Sequence, residues 1–212
     1  MAAIILAGGL SSRMGADKSR LAIDGTGILQ LLVKRFGEAM GRVIVVVRPD
    51  QQPPLSVPSR DRTVSAPTEE TGIERLTIAQ DIYPGVGPLG GLHAGLAASP
   101  DDENFVLACD MPFAEPRLAV FILSRLAGRD AAVPMPARGP EPLYAAYRKS
   151  CLPTIQSSIE AGRLRVREAL RDLNVVYVPE EEMRPLDPDL RSFRNINTPE
   201  DYREALRIMR SS

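Results

Sequence analysis

The sequence predicts a three-layer α/β domain in which helices cover both faces of a mostly parallel central sheet. Three observations lead there. Short apolar runs suited to strands alternate along the chain with longer segments of helical periodicity. The run Val43–Val47 is β-branched without alternation, as expected of a strand covered on both faces. The first apolar run passes straight into a glycine-rich loop, the arrangement by which open α/β sheets hold ligands at strand ends.

The elements follow in order. Ala2–Leu6 reads as the first strand, and Ile28–Met40 as a helix stopped by Gly41. Val43–Val47 is the second strand. The segment Asp50–Thr71, rich in Pro, Ser and charge, reads as a loop or small excursion. Leu89–Ala98 reads as a helix opened by a Gly-Pro turn, Phe105–Ala108 as a buried strand and Pro116–Leu126 as a helix. Ala131–Pro134 and Leu143–Tyr147 are expected strands, Leu152–Glu160 and Val166–Leu173 expected helices, and Val175–Val178 a short strand. The last helix is the best marked. Thr198 suits its N-cap, Pro199 its first position, and Asp201 falls where it completes a capping box. Tyr202, Ala205, Leu206 and Met209 then give it one apolar face. No repeat or linker interrupts the chain, so residues 1–212 read as one domain.

With 212 residues the chain is long enough for a substantial core. Its 26 basic and 27 acidic side chains leave a net charge of −1, which argues against a nucleic-acid partner. No apolar run approaches the ~18 residues of a membrane span, and the N-terminus lacks a basic n-region, so no membrane and no signal peptide are expected. Cys109 and Cys151 have no metal-ligand spacing and read as buried thiols, with the cytoplasm as the expected compartment. His93 is the only histidine; it has no Ser or Cys nucleophile pattern beside it and reads as structural.

The chemistry concentrates in four stretches. The first runs from the strand Ile4-Ile5-Leu6 into Ala7-Gly8-Gly9-Leu10-Ser11-Ser12-Arg13-Met14-Gly15-Ala16-Asp17-Lys18. Glycines let backbone N–H groups approach phosphate oxygens, and Arg13 and Lys18 can add charge-assisted hydrogen bonds. This is the build of a nucleoside triphosphate site. It is not a Walker A loop, because Asp17 rather than Gly precedes Lys18, and the G-x-G-x-x-G spacing is absent. The second is Ala108-Cys109-Asp110-Met111-Pro112. A carboxylate at the end of a central strand can hold Mg²⁺ against phosphate oxygens, or merely cap the next turn. The third, Asp81-Ile82-Tyr83-Pro84-Gly85-Val86-Gly87-Pro88-Leu89-Gly90-Gly91-Leu92, is a second glycine-rich element. The fourth is Asn195-Ile196-Asn197-Thr198-Pro199-Glu200-Asp201, where asparagine carbonyls can orient a metal's water or a phosphate and a helix N-terminus favours an anion, or where the residues, Asn197 included, merely cap the helix.

These stretches resemble the family of molybdenum cofactor guanylyltransferases, whose signature L-A-G-G-x-S-x-R-M-G-x-D-K matches Leu6–Lys18. The elements C-D-x-P, D-x-x-P-G-x-G-P-L-x-G-L and N-x-N-T-P-E-D match Cys109–Pro112, Asp81–Leu92 and Asn195–Asp201. The resemblance implies a Rossmann-like, glycosyltransferase-A-type nucleotidyltransferase fold. It implies transfer of GMP from GTP to molybdopterin carrying molybdenum, with release of pyrophosphate and with Mg²⁺ as cofactor. In that reading Lys18, Arg13 and Asp110 are catalytic, and Asp110 holds the metal. Leu6, Ala7, Gly8, Gly9, Lys18, Asp81 and Asp110 bind the nucleotide, with Asp81 accepting from guanine's N1–H and 2-amino group. Asn195 and Asn197 form a substrate or metal loop. The implied partners are GTP, the molybdopterin cofactor and cofactor-delivery or acceptor proteins. Glu141–Arg148 resembles the family's x-P-L-x-A-x-Y strand near the pterin-bearing substrate; plain strand packing is the other reading. Arg163, Arg165 and Arg167 form a basic cluster that suits either a pterin phosphate or a solvated helix start. After the second strand the family often carries an asparagine, and this chain has Val47-Arg48-Pro49 instead. A cytidylyltransferase of the same cofactor, a sugar- or alcohol-phosphate nucleotidyltransferase and a non-catalytic nucleotide-binding module are the alternatives.

Overall fold

The structure, a computed structural model, describes residues 1–8, 21–23, 26–51, 53, 55, 63–64, 75–83 and 85–210. At its centre lies β1 (Ala2–Leu6), buried at every residue. After a two-residue pair of short antiparallel strands, β2 (Ala22–Ile23) and β3 (Thr26–Gly27), comes α1 (Ile28–Met40). Gly41 ends α1 in the left-handed region (φ 73°), where its N–H donates to the Gly37 carbonyl at 2.8 Å. The chain then forms β4 (Arg42–Val47), β5 (Thr63–Val64), β6 (Arg75–Gln80), α2 (Pro88–Ala98) and β7 (Glu103–Ala108). There follow α3 (Pro116–Ser124), β8 (Ala131–Met135), β9 (Tyr144–Arg148), α4 (Leu152–Glu160), α5 (Val166–Ala169), β10 (Val175–Pro179), α6 (Glu180–Met183) and α7 (Pro199–Arg210).

The main sheet has eight strands among the described residues, in the order β10-β8-β9-β7-β1-β4-β6-β5. β1, β4, β6 and β7 run parallel, while β9 is antiparallel to both its neighbours and β5 to β6. From β1 the chain steps through α1 to β4 and outward to β6. It then returns through α2 to β7 on the other side of β1. That reversal is a topological switch point, and in open α/β sheets it opens a crevice beyond the carboxyl ends of the strands.

The period-two alternation of a strand divides β1 between two cores. Ala3 and Ile5 face the cluster that includes Leu29, Leu32 and Phe36 of α1 and Leu118 and Ile122 of α3. Ala2, Ile4 and Leu6 face Leu89, Leu92 and Leu96 of α2 and Ile155 of α4. Each such large apolar side chain contributes about 1.5–3 kcal/mol on burial. α2 comes closest to the sheet: a Cβ on Gly95 would fall 2.3 Å from Ile4 Cγ2 and 3.2 Å from Val46 Cγ2.

The structure departs from expectation at several elements. β6 is a central parallel strand that the sequence reading missed. β5 lies within the segment expected to be loop. The expected helix Val166–Leu173 divides into α5 and a 3-10 turn at Leu170–Asp172. α3 stops two residues early, at Ser124, where the N–H of Arg125 already bonds the Ile122 carbonyl at 3.0 Å. The capping box of α7 is present: Thr198 Oγ1 accepts from Asp201 N–H at 3.1 Å, and Asp201 Oδ2 from Thr198 N–H at 2.8 Å. No helix among the described residues is long and apolar enough to cross a membrane.

Candidate functional site

Four strand ends meet at the switch point. β1 ends in Ala7-Gly8, β4 in Arg48-Pro49, β6 in Asp81 and β7 in Cys109-Asp110. Main-chain bonds hold them in register: Ala7 N–H to the Val46 carbonyl at 2.8 Å, Asp81 N–H to Val47 at 2.8 Å and Cys109 N–H to Leu6 at 3.1 Å. The cleft above them has a volume of about 410 Å³. Its lining includes Leu6, Gly8, Asp81 and Asp110, so the structure brings together residues more than a hundred positions apart in sequence. Ala7, between Leu6 and Gly8, is not part of that lining; its carbonyl accepts from the Gln51 side-chain amide at 3.2 Å. Gly9, Arg13 and Lys18 lie outside the described residues.

Asp81 is fixed from three sides. Its backbone N–H is tied to β4, its Oδ1 accepts the Tyr83 N–H at 2.9 Å, and both carboxylate oxygens rest on Gly90. A Cβ there would meet Oδ1 at 2.9 Å and Oδ2 at 3.1 Å, which is why the first turn of α2 carries glycine at this point. Gly85 (φ 86°) and Gly87 (φ 80°) make the turn between them, in backbone conformations that an L side chain would strain. Burial raises the Asp81 carboxyl above its ordinary value, against the Tyr83 hydrogen bond and the nearby His93, which lower it. His93 is buried behind this turn, its ring edge-on to Tyr83 with centroids 5.1 Å apart. Burial holds its imidazole below the usual histidine value. It packs as the sequence reading expected.

Asp110 stands at the end of β7 in the same cleft. Its main-chain carbonyl accepts the Ile196 N–H at 2.8 Å, which ties the Asn195–Asn197 loop to it. Neither asparagine lines the cleft itself. The Asn195 side-chain carbonyl is buried and has no hydrogen-bond partner among the described residues. The main-chain N–H of Asn197 donates to Asp201 Oδ2 at 2.9 Å, so its backbone serves the cap of α7. No group of three His, Cys, Asp or Glu side chains capable of holding a metal occurs among the described residues. The Asp110 carboxylate, with the Asn195 loop tied to its main chain, fits a hard cation that keeps much of its hydration and completes its shell with phosphate oxygens.

On the other flank of Asp110, packing explains most of the strand that the sequence reading linked to the second substrate. Tyr144 and Tyr147 are fully buried; their hydroxyls donate to the carbonyls of Glu115 at 2.6 Å and Pro142 at 2.7 Å. Only Leu143 of this stretch reaches the cleft. The basic cluster is dispersed: Arg163 pairs with Asp172 at 2.8 Å, and Arg167 donates to the Pro140 carbonyl at 2.7 Å. Two groups have a place here that the sequence reading did not give them. Arg138 pairs with Glu141 at 2.9 Å and donates to the Phe193 carbonyl, clasping the β8–β9 connection to the Asn195 loop. Arg48 lines the cleft beside Asp81. The signal for Arg48 was its place directly after an all-buried strand, where a side chain enters the crevice.

Comparison with known proteins agrees with this geometry. Residues 3–178 match the family model described as a MobA-like NTP transferase domain. A probable molybdenum cofactor guanylyltransferase of Methanosarcina mazei is 37% identical over 202 residues, which are 94% of this chain and 87% of that protein. The crystal structure of molybdopterin-guanine dinucleotide biosynthesis protein A from Archaeoglobus fulgidus superposes with a TM-score of 0.81 at 29% identity, over 100% of both chains. The 2-C-methyl-D-erythritol 4-phosphate cytidylyltransferase of Thermus thermophilus, 15% identical and covering 98% of both chains, shares the fold with a TM-score of 0.66. With an NTP-transferase match across most of its length and a cleft at the switch point of a mostly parallel sheet, the chain belongs to the MobA-like nucleotidyltransferase family.

Proposed function

We propose that the protein is a molybdenum cofactor guanylyltransferase, transferring GMP from GTP to molybdopterin carrying molybdenum and releasing pyrophosphate. The observation that carries this reading is that one cleft holds Asp81, beneath the first turn of α2, and Asp110, at the end of β7, with Asp50 also in its lining. The near full-length likeness to guanylyltransferases supports the choice of base and acceptor.

In this reading the acceptor phosphate oxygen attacks the α-phosphorus of GTP, and the bond from that phosphorus to the α,β-bridging oxygen breaks, so that pyrophosphate leaves. No covalent protein intermediate is required. Catalysis is therefore positioning and charge neutralisation. The backbone of Ala7–Gly9 cradles the nucleotide. Asp81 accepts from guanine's N1–H and 2-amino group. Arg13 and Lys18 neutralise the triphosphate and the leaving pyrophosphate. Asp110, with the Asn195 amide oxygen, would hold Mg²⁺, which supplies neutralisation of the phosphate oxygens when bound. Arg138 and Glu141 keep the Asn195 loop against Asp110. The buried thiols of Cys109 and Cys151, which are not in a disulfide, suit a cytoplasmic enzyme.

The test is direct. The protein is incubated with Mg²⁺, each of the four nucleoside triphosphates in turn and molybdopterin-loaded acceptor, and the product is identified by mass spectrometry. The guanine dinucleotide is expected. The cytosine dinucleotide would move the protein to the cytidylyl branch, and no dinucleotide with any base would remove the function.

A further inference from the structure

The sequence Val47-Arg48-Pro49 ends β4, and the structure sets Arg48 in the cleft lining with Asp81. Val47 and Gln80 are register partners on the parallel strands β4 and β6. Arg48 and Asp81 follow them directly, so a cation and an anion stand on neighbouring strands one spacing apart, about 4.8 Å. Both line the cleft, and Arg48 is the only basic side chain in that lining among the described residues.

The position of Arg48 is built. Its backbone N–H donates to Gln51 Oε1 at 3.4 Å, and the same Gln51 amide donates to the Ala7 carbonyl at 3.2 Å, clamping the end of β4 to the end of β1. The first part of its side chain lies along Gly8: a Cβ there would come within 3.3 Å of Arg48 N and 3.4 Å of its Cγ. Its ion pair is a long one, Nε to Asp50 Oδ1 at 3.5 Å, and Asp50, at the rim of the same cleft, is 81% exposed. Such a solvent-facing pair is weak and leaves the other guanidinium N–H groups to a ligand.

We infer that Arg48 is a base-specificity residue that donates to the O6 and N7 acceptors of guanine while Asp81 accepts from N1–H and the 2-amino group. The inference rests on the guanine reading proposed above. The chemistry is complementary on both sides. A guanidinium presents a fork of parallel N–H donors that suits O6 and N7 together. Adenine sets an amino donor in place of O6, so a donor would face a donor, and cytosine does the same with its 4-amino group. A site whose own polar groups are left unmatched by the wrong base discriminates strongly.

Two nucleotide analogues separate the contacts. 7-Deaza-GTP lacks the N7 acceptor, and ITP lacks the 2-amino group. Affinities are measured by titration calorimetry on the full chain with Mg²⁺ and no acceptor, so that nothing turns over. Wild-type protein is expected to bind 7-deaza-GTP roughly 10-fold more weakly than GTP, the low end of a bidentate arginine–guanine contact. Arg48→Ala should erase that penalty and leave the ITP penalty intact, and Asp81→Asn should do the reverse. Arg48→Lys keeps charge, stem and a donor that suits N7; it should retain part of the 7-deaza penalty that the alanine variant loses, which guards against a folding artefact there. An equal loss for GTP, 7-deaza-GTP, ITP and ATP in Arg48→Ala would place Arg48 on the phosphates and overturn the inference. Unchanged discrimination would overturn it as well. Failure of the guanine reading itself shows elsewhere, as a wild-type protein that binds GTP no better than CTP or ATP.

Discussion

Asp110 is the residue on which the proposed reaction turns. Asp110→Asn keeps shape and hydrogen-bonding capacity but removes the charge, and its main-chain carbonyl remains free to hold Ile196. Turnover per folded molecule should fall about 10²-fold or more, the scale of losing one group that stabilises transition-state charge, with an unaltered circular dichroism spectrum. Turnover near wild type at limiting Mg²⁺ would take the metal from this residue. Asp81 offers a pH test. Because burial raises its carboxyl above 3.8, its neutral form is favoured by folding. That stability is full below the unfolded value and is lost as pH rises through the higher folded value. At neutral pH the ion is therefore a burden to the empty protein and an asset to guanine. Asp81→Asn should raise the urea midpoint of the unliganded protein at pH 7 while weakening GTP binding. In wild type, GTP affinity should fall on acidification beginning above the ordinary carboxylate range, and the variant should lose that dependence. These carboxylates could be picked out in the sequence because each follows a strand or opens a glycine-rich turn. Arg138 and Glu141 could not, because their role depends on which distant loop they meet: Arg138 reaches Phe193, fifty-five positions on.

At the scale of elements, the helices with capping signals were legible and the weakly patterned strands were not. α7 carries its start in Thr198, Pro199 and Asp201, all local chemistry, and the hydrogen bonds follow. β6 has half-exposed residues at Leu76, Thr77 and Ile78, and its apolar signal is diluted by Arg75 and Gln80. Its pairing with β4, far off in sequence, decides its structure, and no local pattern announces that. The contact of α2 with β1 was equally hidden, since Gly95 reads as an ordinary small residue in a helix. Gly95→Ala tests it. Helix propensity alone would favour alanine by about 1 kcal/mol. The new Cβ at 2.3 Å from Ile4 Cγ2 must displace side chains in both layers, an overpacking that costs about 1–3 kcal/mol. We expect a net loss of up to about 2 kcal/mol in urea unfolding, with the slope unchanged. A more stable variant would show that the helix does not press on β1 as described.

The whole molecule turns one reversal of chain direction into a site. Because β4 and β6 lie to one side of β1 and β7 to the other, the ends of these strands open onto one cleft, with Asp81 and Asp110 on its two flanks. In the proposed reading, base recognition falls to the β4–β6 side, which carries Arg48 and Asp81, and phosphate chemistry to the β1–β7 side, which carries Asp110. The measurement that tests this most directly follows the label from GTP carrying ³²P at the α-position or at the γ-position, with Mg²⁺ and molybdopterin-loaded acceptor. The α-label is predicted to enter the acceptor as GMP, and the γ-label to leave as pyrophosphate. Transfer of the γ-label to the acceptor, or release of both labels without a dinucleotide, would contradict nucleotidyl transfer in this cleft.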